Sequence, residues 1–87
     1  MDFGKALEAL KEGKKVARKG WNGKGMFLYF VGDDRYPAKT EIAKTIADED
    51  GKVAYHAYIA MKTAQGYVVP WLASQTDIID EDWEIIE

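Results

Sequence analysis

Over the first dozen residues, apolar side chains recur at helical spacing, with Phe3, Ala6, Leu7 and Leu10 on one face. Asp2 offers an N-cap acceptor and Gly13 the left-handed residue that ends a helix, so the spacing predicts one helix between them. From Lys15 the period changes to two. Lys15 to Arg18 reads as a short strand, Lys19 to Gly23 as a turn, and Met26 to Val31 as a second strand. In that second strand both alternating sets are apolar: Phe27, Tyr29 and Val31 against Met26, Leu28 and Phe30. The pattern predicts cover on both faces, by a helix on one side and by a further helix or a partner subunit on the other.

Gly32 to Pro37 reads as loop. Thr40 can cap a short helix through Glu41, Ile42 and Ile46 that ends near Gly51. Tyr55 to Lys62 and Tyr67 to Val69 read as strands joined at Ala64, Gln65 and Gly66, a hairpin signal; Pro70 then ends the second strand or places it at an edge. Ser74 with Asp77 three residues on has the form of a capping box for a helix through Ile79, and Trp83 to Ile86 alternates as a final strand. Residues 1–87 are thus expected to form a single α+β domain. Its core is a small antiparallel sheet of about five strands, with the N-terminal helix packed on one face and one or two short extra helices.

Composition narrows the classes of function. At 47% hydrophobic and 13% aromatic, the chain is that of a folded domain and not of a disordered segment. No apolar run approaches the roughly 20 residues of a membrane helix, and Asp2 and Lys5 stand where a signal peptide would carry its apolar stretch. A cytoplasmic protein with no membrane attachment is expected. The absence of cysteine removes disulfides, thiolate metal sites and Cys nucleophiles. In so short a chain, apolar burial and conformational entropy nearly cancel, and the many large aromatics then favour self-association into a homo-oligomer.

Charge is unevenly spread. Up to Thr40 basic residues prevail, with Lys11, Lys14, Lys15, Arg18, Lys19 and Lys24 close together; from Glu41 onward acidic residues prevail. The basic stretch could hold an anion of modest size or simply be a solvated face, whereas the acidic half argues against DNA or RNA as a partner.

Catalytic sets are hard to assemble from this inventory. The single histidine, His56, sits in a strand pattern, and the single serine, Ser74, at a helix start; a triad would need both, with an acid such as Asp77. Asp80, Glu81, Asp82 and Glu84 could supply two carboxylates for a hydrolase, but they read more naturally as a solvated turn. No metal-ligand spacing and no phosphate-binding glycine motif is present, so no enzyme, metal or cofactor is expected. Three features point instead to binding. Trp21 lies in a glycine-flanked turn beside Asn22 and Lys24, Trp71 follows Pro70, and Ser74, Gln75 and Thr76 open a short helix with free amides. Indole faces stack purines, Asn and Gln read base edges, and Lys with helix-start amides suits a pyrophosphate. The alternative is that the tryptophans are core anchors, which is the expected role of Trp83, framed by Ile85 and Ile86.

Two segments carry a resemblance: GKKVARKGWNGKGMFLYF, Gly13 to Phe30, and YIAMKTAQGYVVPWLASQTDIIDEDWEII, Tyr58 to Ile86. With the helix of Phe3, Leu7 and Leu10 before them, and with KGWNGK, MKTAQG, VPW, ASQTD and DW in that order, the chain resembles the small phage and prophage domain family that includes the second type of Thoeris anti-defence protein. Gly32 to Ala57 matches no family pattern. The resemblance implies a non-catalytic sponge, a homotetramer in the host bacterial cytoplasm. It would sequester cyclic ADP-ribose isomers such as glycocyclic ADP-ribose, made by a TIR-domain enzyme, so that the Thoeris effector stays inactive. It also implies pockets between subunits and, in some members, uptake of cyclic dinucleotides at separate sites. Within the matching motifs the ligand-binding candidates chosen by chemistry are Trp21, Asn22, Lys24, Trp71, Ser74, Gln75 and Thr76, with Arg18 as a reserve phosphate contact. Direct inhibition of a host defence protein, a sponge for cyclic dinucleotides and weak hydrolysis of a nucleotide signal are the alternatives.

Overall fold

The computed structural model describes all residues 1–87. Helix α1 (Phe3–Lys11) starts where Asp2 accepts the Lys5 amide and ends before Gly13, whose φ of 88° allows the chain to turn back. Its buried face of Ala6, Ala9 and Leu10 packs on one side of a five-stranded antiparallel sheet. The sheet comprises β1 (Lys15–Arg18), β2 (Phe27–Val31), β5 (Tyr58–Lys62), β6 (Val68–Pro70) and β7 (Trp83–Ile86), in the order β6-β5-β2-β1-β7. A short helix α3 (Gln75–Ile79) lies between the two edge strands in sequence. The α+β architecture expected from the hydrophobic pattern is the one observed. Pro70 pairs with Ala60 on the edge strand β6, where its missing donor faces no neighbour.

The core is small and centred on one residue. Trp83, Leu10, Leu28 and Val16 are fully buried together with Ala6 and Ala9, and Phe3, Leu7, Phe30, Ile59, Met61, Trp21 and Trp71 close around them. Trp83 is 1% exposed, and its indole N–H donates to the Asp77 carbonyl at 2.8 Å. Its expected role as core anchor is therefore met, with its polar edge satisfied.

Three expectations fail in the middle of the chain. The segment Gly32 to Pro37 is not all loop: Asp34–Pro37 forms β3, which pairs antiparallel with β4 (Lys52–Tyr55) in a separate two-stranded sheet. The expected strand from Tyr55 to Lys62 is two strands, broken at His56 and Ala57, where the Ala57 amide turns aside to donate to the Asp33 carboxylate. Helix α2 (Glu41–Ile46), capped by Thr40, stops well before Gly51 because Asp48 takes over the backbone, accepting from the amides of Asp50 and Lys52. The ribbon β3–β4 and α2 form an arm, and α2 covers no face of the main sheet. The outer face of β2 is therefore left to Phe27, Tyr29 and Val31, with Lys15 and Lys62 holding their ammonium groups 4.9 and 5.8 Å from the Phe27 ring centre. The arm stretches the molecule to 45 × 26 × 25 Å.

Candidate functional site

The turn after β1 is shaped by close approach. A Cβ on Gly23 would lie 2.4 Å from the Met26 sulfur and 2.9 Å from the Ala64 Cβ, so the KGWNGK turn sits against the β5–β6 hairpin as only glycine permits. The Trp21 amide donates to the Arg18 carbonyl at 3.2 Å, which folds the indole back over the end of the sheet. There its ring meets Trp83 edge to face, centroids 5.5 Å apart. From the opposite edge of the sheet Trp71 does the same, centroids 5.9 Å apart and planes at 88°, with Phe3 filling the gap at 6.0 Å from Trp71 and 5.5 Å from Trp83. Trp21 and Trp71 are half-buried: one edge of each belongs to the core and the rest faces outward. The two readings of these rings, anchor and binding surface, thus meet in the same residues.

The polar candidates border this corner and face solvent. Asn22, Lys24, Ser74, Gln75 and Thr76 are exposed. The α3 start is built by a full capping box: the Ser74 hydroxyl accepts the Asp77 amide at 3.1 Å, and the Asp77 carboxylate accepts the Ser74 amide at 2.8 Å. Because Trp83 fixes the Asp77 carbonyl, this cap is tied to the same indole on which Trp21 and Trp71 lean. Residues from three separate segments therefore share one end of the domain.

Arg18 plays a different part from the phosphate contact held in reserve for it. Its Nε donates to Asp82 at 2.8 Å, Nη1 to Asp77 at 2.9 Å and Nη2 to Asp80 at 2.5 Å, leaving the side chain 12% exposed. Every nitrogen of the fork is engaged with a carboxylate, which uses three of its five N–H groups and holds the guanidinium against the acidic segment. The acidic run before β7 is exposed at Asp80 and Glu81, as a solvated turn would be, but Asp80 and Asp82 are also bound to Arg18, and Asp82 accepts the Gly20 amide at 3.1 Å. Hydrogen bonds from Arg18 hold the Asp82 carboxyl below the usual carboxylate range. For Asp77, burial pushes upward, but the Ser74 amide and Arg18 more than offset it, and its carboxyl also titrates low. The Arg18 guanidinium is raised further above its already high value by Asp82 and Asp77.

The components considered for a triad do not converge. Ser74 is engaged with Asp77 and Thr76, whereas the fully exposed His56 lies on the loop after β4 with its Nδ1 3.8 Å from Asp33. No group of three or more His, Asp or Glu side chains has metal-holding geometry.

Two concavities exist within a single chain, one at the seam between the arm and the sheet and one on the arm. One, of about 500 Å³, lies where the arm joins the sheet, between Tyr29, Tyr36, Tyr55 and Tyr58 with Lys39 at its rim. The other, of about 430 Å³, lies against Asp33, Arg35 and His56. Neither contains one of the ligand-binding candidates chosen from the sequence. The tyrosines are spread over four elements, and only the pairing of β3 with β4 brings Tyr36 to within 5.7 Å of Tyr55. No local sequence signal joins them, since Tyr36 and Tyr55 lie within the middle segment and Tyr29 and Tyr58 in the strands on either side of it. At the tryptophan corner a single chain presents a surface and not a closed cavity.

Fold and corner together define a small α+β domain that presents packed aromatic faces beside exposed polar side chains. Residues 1–86 match the Thoeris anti-defense 2-like domain, and the chain belongs to that family. It is 38% identical over 86 residues to Thoeris anti-defense 2 of Bacillus phage SP01, an alignment that spans 99% of this chain and 94% of the phage protein. Membership places the chain among anti-defence proteins directed at Thoeris. No helix is long and apolar enough to cross a membrane.

Proposed function

We propose that the protein is a sponge: it binds and sequesters a cyclic ADP-ribose-type immune signal, glycocyclic ADP-ribose, without cleaving it, and so keeps the Thoeris effector inactive in the host bacterial cytoplasm. The observation that carries this reading is the pair of half-exposed indoles, Trp21 and Trp71, braced on the buried Trp83 and bordered by exposed Asn22, Lys24, Ser74, Gln75 and Thr76. Trp21 or Trp71 stacks on adenine, a contact worth about 1–3 kcal/mol per base. Lys24 faces the pyrophosphate, while Gln75, Thr76 and the amides at the α3 start meet its oxygens or the ribose hydroxyls. Arg18 is left out of the contact set because each of its three nitrogens already donates to a carboxylate and its side chain is only 12% exposed.

The physical logic of a sponge is a deep ground-state well, which gains an enzyme nothing. A ligand of about 35 heavy atoms at roughly −0.3 kcal/mol per atom reaches about −10 kcal/mol, in the tens-of-nanomolar range. Rigid stacking surfaces serve that end, because little side-chain freedom is lost on binding.

The pocket is completed by a second chain in a homotetramer. The monomer exposes 6357 Å², against about 5,200 Å² expected for its mass, and its radius of gyration is 15.3 Å against about 12 Å. Leu72, Ile42, Tyr67, Ile79 and Ile46 are all at least 69% exposed, so apolar surface is available for a subunit interface of ordinary size. Cyclic dinucleotide signals, should they bind, would occupy a separate site.

Calorimetry with glycocyclic ADP-ribose tests the reading. Uptake should disappear in Trp21→Ala and in Trp71→Ala while the oligomer persists, and mass spectrometry after heat denaturation of the wild-type complex should recover the ligand unchanged. Undiminished binding in both variants removes the stacking site, and recovery of a cleaved ligand replaces the sponge with a hydrolase. Failure of the wild-type protein to bind, with a host protein captured stoichiometrically instead, replaces it with a direct inhibitor.

A further inference from the structure

The residue that connects all parts of the tryptophan corner touches no exposed ring. We infer that Arg18 is a positioning residue: with Asp77, Asp80 and Asp82 it forms a clamp that holds the turn of Trp21 and the start of α3 in one geometry before any ligand arrives. The inference rests on the sponge reading for its consequence in binding, but the clamp itself is a property of the free protein.

The connections run outward from a single guanidinium. The Trp21 amide donates to the backbone carbonyl of Arg18 at 3.2 Å, a contact that any residue here would make, so the guanidinium itself reaches the turn through Asp82. Through Asp82 it reaches the next turn residue, since Asp82 accepts from Gly20 with one carboxylate oxygen and from Arg18 Nε with the other. A Cβ at Gly20 would stand 3.0 Å from that same oxygen, so backbone and carboxylate are as close as a residue there allows. Through Asp77 the clamp reaches the capping box and hence Ser74, Gln75 and Thr76; the Asp77 carbonyl in turn fixes Trp83, on which Trp71 and Trp21 rest. Three carboxylates and one guanidinium leave the cluster net negative beside a site meant for an anion, which makes little sense for a direct contact. It makes sense for a brace. Arg18 offsets one of the three negative charges and uses the geometry of the carboxylates to fix two loops that share no hydrogen bond with each other.

A brace acts on the fraction of molecules already competent to bind, and a ligand contact acts on how long the complex lasts. Lysine at this position keeps the charge but replaces a planar three-way fork with one nitrogen that cannot reach three carboxylates in fixed directions. In Arg18→Lys, acrylamide should therefore quench tryptophan emission of the ligand-free protein more strongly. Stopped-flow with glycocyclic ADP-ribose should show the association rate falling about tenfold, with dissociation changed by less than about twofold. Val16→Ala, a buried change in the same strand, controls for loss of stability and should leave both readouts as in the wild type. The clamp is overturned if Arg18→Lys matches the wild type in quenching, if quenching changes but the rates do not, or if Val16→Ala reproduces the Arg18→Lys behaviour. If the wild-type protein takes up no glycocyclic ADP-ribose while quenching still separates the two variants, the sponge reading falls and the clamp stands.

Discussion

The body and the arm of this molecule are held together by different physics. All nine buried residues belong to α1, the five-stranded sheet or α3; none lies between Gly32 and Ala57. The body closes on a tryptophan, and its polar contacts span the chain: Arg18 meets partners 59 to 64 positions away. The arm is local. Arg35 pairs with Asp48 and Asp50, a hydrogen bond that lowers the Asp48 carboxyl, and Tyr36 leans on Tyr55, yet Ile42 and Ile46 stand in solvent. The arm leaves its isoleucines exposed and has no core of its own, whereas the body closes on a buried tryptophan and still presents Leu72, Tyr67 and Ile79 to a partner. The exposed tryptophan edges belong to the body and the tyrosine groove to the seam between the two.

The comparison breaks if truncating the centre of the body is tolerated. Trp83→Ala should cost about 3–5 kcal/mol, read from the midpoint of urea unfolding, and leave the protein largely unfolded at 37 °C. Acid should act next, and on the body. Asp77 and Asp82 have folded values below the ordinary one, so the stability they contribute is fully present above about pH 4 and is lost as pH falls through the lower folded values. Melting temperatures from pH 7 to pH 2 should stay level to about pH 5 and then fall, less steeply in Arg18→Lys, where those carboxyls return toward ordinary values. Ser74→Ala, which removes half of the capping box, should cost about 1 kcal/mol and raise amide exchange through α3. The smallest effect on monomer stability belongs to the arm. Ile42→Ser with Ile46→Ser should change unfolding by no more than about 0.5 kcal/mol, and sedimentation should show whether the oligomer needs those side chains. A large loss of monomer stability there would make the arm part of the core.

The body was largely legible. Helix α1 followed from Asp2, the spacing of Phe3, Ala6, Leu7 and Leu10, and Gly13; the hairpin followed from Ala64, Gln65 and Gly66, whose Gly66 has a φ of 97°; and α3 followed from Ser74 and Asp77. Each is a local signal, complete within a few residues. The β3–β4 ribbon was not legible, because Asp34 to Pro37 carries two charges and a proline, and nothing short of its pairing with Lys52 to Tyr55 marks it as strand. The break at His56 was hidden in a continuous apolar run, and it depends on an Asp33 carboxylate reached only after folding.

The same division holds at the candidate site. From residue types alone, Trp21, Asn22, Lys24, Trp71, Ser74, Gln75 and Thr76 could be picked out, because stacking and hydrogen bonding belong to a side chain wherever it lies. That Trp21 and Trp71 lean on one buried indole, that Arg18 pairs with three carboxylates, and that four tyrosines meet at the root of an arm were decided by the tertiary structure. Local pattern sets which elements form, since propensity and capping act over a few residues. Which side chains remain free for a ligand depends on partners far away in the chain, and only closing the fold reveals those.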